Sequence, residues 1–267
     1  MLFILDLRTS NVGGAVLPAK LVRGTEIELR EHSGVIFLLH GYNVNRREGS
    51  ASLSRLASRL PSVTDRALVA VLWPGDHWTG AASYPFEGND ADDSAKELVR
   101  FVDRVLRPGT TLSFASHSLG ARVVLQTIEG LRGDRYSIDQ VCLMAPAVDD
   151  FCLAHPRVYS AAVAASARVT VLASRKDKVL RWAYPLGDLL QSFIFYREEM
   201  NGLALGYHGP RPFKSSRVAA NVLHEQISNG RNVGHGDYVP AEPANTGQVS
   251  AAAYADLALS GATPRYQ

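Results

Sequence analysis

The chain has 267 residues, 46% apolar and 20% charged, which is enough to bury a sizeable core and too apolar for a disordered segment. Twenty-eight basic against 26 acidic residues leave a formal charge of +2, without the basic excess of a dedicated nucleic-acid binder. No uncharged apolar run approaches the roughly 18 residues that span a bilayer, so no integral membrane segment is expected.

The predicted elements alternate. Leu2–Leu7 and Glu26–Leu29 read as strands with no helix between them, hence an antiparallel hairpin or meander at one edge. The strand Val35–His40 follows, then a helix over 49–60, the strand Leu68–Trp73, a helix over 92–106, the strand Thr111–Ser116 and a helix over 119–131. The strand Gln140–Ala145, a helix over 156–166, the strand Arg168–Ala173, a helix over 181–196 and the strand Val222–Ile227 complete the series. The middle strands are continuously apolar, as in a parallel sheet buried on both faces, and their alternation with helices predicts right-handed βαβ units. One α/β domain over 1–267 is the expectation: a mostly parallel, twisted sheet of about eight strands with helices on both faces. Glycine and proline become denser in the last 35 residues, and no helix is predicted there. The start Met1–Asp6 lacks the basic region of a signal peptide, and the two cysteines, Cys142 and Cys152, sit in apolar surroundings. Two reduced, buried thiols in a cytoplasmic protein are expected.

Ser116-His117-Ser118-Leu119-Gly120 joins a predicted strand to a predicted helix. A serine on such a tight turn lifts its Oγ above the sheet edge, and the residues two before and two after must be small because the backbone folds back there. So short a pattern recurs by chance, and a serine that merely caps a helix is the plain alternative; the strand–turn–helix context favours a nucleophile. Acyl transfer also needs two backbone N–H groups aimed at the developing oxyanion. Leu119 supplies one at the helix start, and Tyr42, after the strand that ends in His40-Gly41, is placed to supply the other. A serine needs a histidine to take its proton, and that histidine needs a carboxylate. Asp177 follows the strand Arg168–Ala173 and is preferred, with Asp149 and Asp150 after the preceding strand as the competing pair. Of eight histidines, only His235, between Gly234 and Gly236, follows the last strand; His117 is read as pointing the wrong way on the turn.

These motifs resemble the α/β-hydrolase superfamily, and more narrowly a group of bacterial α/β-hydrolase-like proteins of largely undefined role. The resemblance rests on His40-Gly41-Tyr42-Asn43, Trp73-Pro74-Gly75, Ser116–Gly120, Ala145-Pro146-Ala147-Val148-Asp149, the stretch 173–180 and Gly234–Tyr238, in that order over residues 40 to 238. It implies the α/β-hydrolase fold, with Ser118 as nucleophile, Asp177 as acid and His235 as base, and departs from the common turn at Ser116. About twenty residues separate the strand Gln140–Ala145 from the next, too few for a cap domain. Aromatic residues in two stretches, with Trp73, Trp78 and Trp182 foremost, are candidates for a substrate wall. The expectation is a serine hydrolase cleaving a small-molecule carboxylic ester or thioester, without metal or organic cofactor. An acyltransferase or peptidase with the same triad, or a non-catalytic binding protein on the same fold, is the alternative. No feature of the sequence sets an oligomeric state.

Overall fold

A strand whose successive residues are all apolar needs cover on both faces, because its side chains alternate across the sheet. The computed structural model describes residues 1–12, 14–63, 65–75, 87–131, 133, 135–182 and 203–262. In chain order the elements are β1 (Leu2–Arg8), β2 (Val16–Arg23), α1 (Glu26–Arg30), β3 (Gly34–Leu39), α2 (Arg46–Ala57), β4 (Ala67–Leu72), α3 (Glu87–Val105), β5 (Thr111–His117), α4 (Gly120–Gly130), β6 (Ser137–Met144), α5 (Ser160–Ala165), β7 (Ser166–Ser174), α6 (Lys178–Trp182), α7 (Leu205–His208), β8 (Val222–Ile227) and α8 (Thr246–Leu259). One eight-stranded sheet forms in the order β2-β1-β4-β3-β5-β6-β7-β8, and every pairing is parallel except the edge pair β1–β2.

Alternation along each strand divides the core into two layers. Val35, Phe37 and Leu39 of β3 join Val69 and Val71 of β4 on one face, where they pack with Leu98 and Phe101 of α3 and Val124 and Ile128 of α4. Ile36, Leu38, Leu68 and Leu72 point the other way, to Leu53 and Leu56 of α2 and Ala251 and Ala255 of α8. This geometry places the site. From β3 the chain leaves toward α2 on one face, while from the neighbouring β5 it leaves toward α4 on the other. Two adjacent strands whose connections part in this way leave a crevice at their carboxyl ends, where α/β sheets bind ligands.

Three expectations are corrected. The segment Glu26–Leu29 is not a strand but lies in the helix α1: Thr25 Oγ1 accepts from Glu28 N at 3.2 Å while Glu28 Oε2 accepts from Thr25 N at 2.9 Å. This reciprocal cap satisfies two donors that only a helix start leaves open, and it overrides the alternating pattern of Glu-Ile-Glu-Leu. The antiparallel partner of β1 is instead β2, five of whose eight residues are exposed and which contains Pro18, tolerated on an edge strand. At the C-terminus α8 occupies a region read as glycine- and proline-rich. Asn245 Oδ1 accepts from Gln248 N at 2.8 Å and Gln248 Oε1 from Asn245 N at 3.1 Å. The helix is alanine-rich and shows little amphipathic stripe to read. Of the helix predicted over 181–196, residues 181 and 182 fall in α6 and 183–196 lie outside the described residues.

Candidate active site

β5 is followed by a residue with an unusual backbone. Ser118 has φ +52°, a left-handed conformation that costs a non-glycine residue of order 1 kcal/mol or more and persists only where the surroundings enforce it. They do: Ser118 N–H donates to Met144 O at 3.0 Å, and Ser118 O accepts from Ala147 N at 3.2 Å. Two residues on, a Cβ at Gly120 would lie 2.5 Å from the carbonyl oxygen of His40, so the turn closes only with glycine there. Ser116, two residues before, is buried, and its hydroxyl finds no hydrogen-bond partner among the described residues.

The loop after β3 lies directly against this turn. A Cβ at Gly41 would stand 2.9 Å from both His117 Nδ1 and Ser118 Cβ. His40 is fully buried, its Nδ1–H donating to Gly41 O at 2.9 Å, and burial lowers its pKa to about 4. Trp73 stacks on it with ring centroids 5.7 Å apart and donates from its indole nitrogen to His40 O at 2.9 Å. Trp73 has no exposed surface, so it belongs to the packed interior and not to an open wall. Tyr42 follows Gly41 in the same loop, and Asn43 N–H donates to Gly75 O at 2.6 Å, joining the loops after β3 and β4. Leu119 comes directly after Ser118, at the N-terminal end of α4, where N–H groups lack intrahelical acceptors.

β7 and the segment after β8 bring the other two groups. Asp177 is fully buried; its Oδ1 accepts from Leu180 N at 2.8 Å and its Oδ2 lies 2.7 Å from His235 Nδ1. His235 Nε2 lies 3.0 Å from Ser118 Oγ. Asp177, His235 and Ser118 thus form one hydrogen-bonded line across three loops. Asp150, by contrast, is buried against Arg211, whose Nε donates to its Oδ1 at 2.6 Å, and it anchors the segment at Leu203. It fastens a neighbouring loop instead of facing His235. Asp149 bridges to Ala204 in the same region. Trp78 lies outside the described residues, as does the side chain of Trp182.

Three contributors escaped the sequence reading. Arg8, at the end of β1, is buried, and its guanidinium donates to Val44 O at 2.9 Å, Asn11 O at 3.1 Å and Trp73 O at 3.4 Å, fastening the loops beside Tyr42. Ser174 Oγ donates to Val233 O and ties the end of β7 to the histidine loop. His117 reaches the His235 backbone: its Nε2 lies 2.8 Å from His235 O. Nothing in an arginine, a serine or a histidine at a strand end marks such roles; each depends on which distant carbonyl arrives beside it. Among the described residues no cluster of three or more His, Cys, Asp or Glu is placed to hold a metal ion, and no helix is long and apolar enough to cross a membrane. Cys142 and Cys152 are free and buried, and burial pushes the Cys142 thiol up to about 12.

The sequence model of a family described as alpha/beta hydrolase of unknown function (DUF900) matches residues 20–188, a span that includes Ser118 and Asp177 and ends before His235. Among solved structures, an extracellular alpha/beta-hydrolase from a Paenibacillus species is 13% identical with a TM-score of 0.29, over 49% of this chain and 48% of that one. That protein is described as sharing structural and functional homology with Tobacco Salicylic Acid Binding Protein 2, and the chain spans about half its length. Comparison with curated proteins gives no match.

Proposed function

The chain belongs to the alpha/beta hydrolase family of unknown function (DUF900), and from that premise we propose that it is a serine hydrolase cleaving a small-molecule carboxylic ester or thioester. One observation carries the reading: Asp177 Oδ2, His235 Nδ1, His235 Nε2 and Ser118 Oγ succeed one another at 2.7 and 3.0 Å. Ser118 Oγ attacks the carbonyl carbon as His235 Nε2 takes its proton, and the Asp177 carboxylate holds Nδ1–H and stabilises the imidazolium. The N–H groups of Tyr42 and Leu119 receive the developing oxyanion. His235 returns the proton to the leaving alcohol or thiol, and an acyl group remains on Ser118. Water, deprotonated by the same imidazole, then attacks the acyl carbon and releases the acid, restoring the free serine.

A non-catalytic binding protein has no use for this arrangement. Burying Asp177 completely and pairing it with a partly exposed histidine requires desolvation that a neutral apolar pair avoids.

The test is covalent labelling by a fluorophosphonate probe, followed by p-nitrophenyl esters of graded acyl length. Wild type is expected to label, and Ser118→Ala to lose both labelling and about 10⁶ in turnover while melting as the wild type does. Full labelling of the Ser118→Ala protein removes Ser118 from its role.

A further inference from the structure

We propose that His117 is a positioning residue for the base: its Nε2–H holds the backbone carbonyl of His235, so that a single turn carries both the nucleophile and the clamp on its partner. The inference rests on the hydrolase reading above and adds to it a residue outside the triad.

His235 sits in a segment that is loosely built on one side. It lies between two glycines, a Cβ at Gly236 would meet nothing within 4 Å, and Asn232 at the head of the loop has a left-handed backbone with φ +52°. Glycines on both sides leave the placement of His235 to the contacts made around it, and a general base displaced by about 1 Å loses about 10²-fold in rate. Ser174 holds Val233, and Gly234 N–H donates to Asp237 Oδ2 at 2.7 Å. The bond from His117 at 2.8 Å acts on the peptide of His235 itself.

The chemistry of the pair assigns the proton. A carbonyl oxygen only accepts, so the ring nitrogen facing it must carry hydrogen, and neutral His117 is the Nε2–H tautomer. Its Nδ1 then faces Gly41 and has no hydrogen-bond partner among the described residues. Burial, and secondarily the neighbouring His235, hold the His117 pKa well below the ordinary 6.5, so the ring stays neutral at physiological pH. The ring is also fixed sideways, with the His235 ring centroid 4.7 Å away on one side and Tyr238 stacked at 6.1 Å. A side chain present only to fill space would need neither the donor nor this tautomer.

The experiment compares His117→Phe and His117→Gln with wild type on one neutral p-nitrophenyl ester and in the rate of fluorophosphonate labelling. Phe keeps a ring of similar size without a donor; the Gln amide can donate at about the same reach. His117→Phe is expected to lower kcat and the labelling rate by about 10- to 100-fold with KM within about twofold of wild type, and His117→Gln to recover most of the loss. Wild-type kcat in His117→Phe, or equal impairment of both variants, overturns the proposal. Because Phe in a buried polar contact can fail to fold, ¹⁵N NMR of the unmodified protein supplies a second reading: an Nε2–H tautomer at His117 is expected, and an Nδ1–H tautomer refutes the clamp. A wild type that neither labels nor turns over any ester defeats the hydrolase reading; one that labels while His117→Phe labels equally fast defeats only this one.

Discussion

At the scale of the residue, both oxygens of Asp177 are committed, one to Leu180 N–H and one to His235. Replacing the carboxylate by an amide keeps its size but offers His235 a group that favours the wrong tautomer and cannot offset imidazolium charge. Asp177→Asn should therefore drop turnover by about 10⁴. Asp150→Asn should change turnover by less than about tenfold, because its partner is Arg211 and not the imidazole. It should still lower the melting temperature, by an amount corresponding to about 1 kcal/mol, since the half-exposed Arg211 is screened by solvent. Measuring both variants on one ester, with a melt of each, decides the matter; Asp150→Asn emerging as the crippled enzyme reverses the assignment of the acid.

At the scale of the element, caps decide what apolar pattern leaves ambiguous. The pair Thr25 and Glu28 turns an alternating segment into α1, and Asn245 with Gln248 starts α8, which has little amphipathic stripe of its own. Asn245 also donates from Nδ2 to Asp237 Oδ1 at 3.0 Å, within the turn that begins at His235. Asn245→Ala is thus expected to lower stability by about 1 kcal/mol, read as a lower urea midpoint at unchanged slope, and to reduce kcat a few-fold. A lowered midpoint with wild-type kcat would confine the residue to capping.

At the scale of the whole molecule, two histidines are sealed beneath the site in neutral form. In the unfolded chain His40 titrates near 6.5; in the folded chain burial lowers its pKa to about 4. Between those values the unfolded state binds the proton and the folded state does not, so stability present above pH 6.5 is lost as pH falls toward 4. The loss is about 1.4 kcal/mol per pH unit and of order 3 kcal/mol in all. His117 acts in the same direction. A series of melts from pH 7 to pH 4 should show this decline, and His40→Gln should flatten it; a variant as steep as wild type would show that His40 is not its source.

The sequence by itself determined the βαβ series, the interior strands and the chain order of Ser118, Asp177 and His235, because continuous apolar runs and a serine on a strand-to-helix turn are local patterns with local causes. It misplaced the second strand, since a mostly exposed edge strand containing Pro18 buries too little apolar surface to declare itself, and it passed over α8 for want of a stripe. Only the tertiary structure decided that Asp150 faces Arg211, that Trp73 packs inward on His40, and that Arg8, Ser174 and His117 fasten the loops of the site. Each of those contacts joins residues far apart in the chain, most of them a side chain to a backbone carbonyl. Every residue offers such a carbonyl, so no residue type marks it in advance, and the sheet alone selects which one arrives.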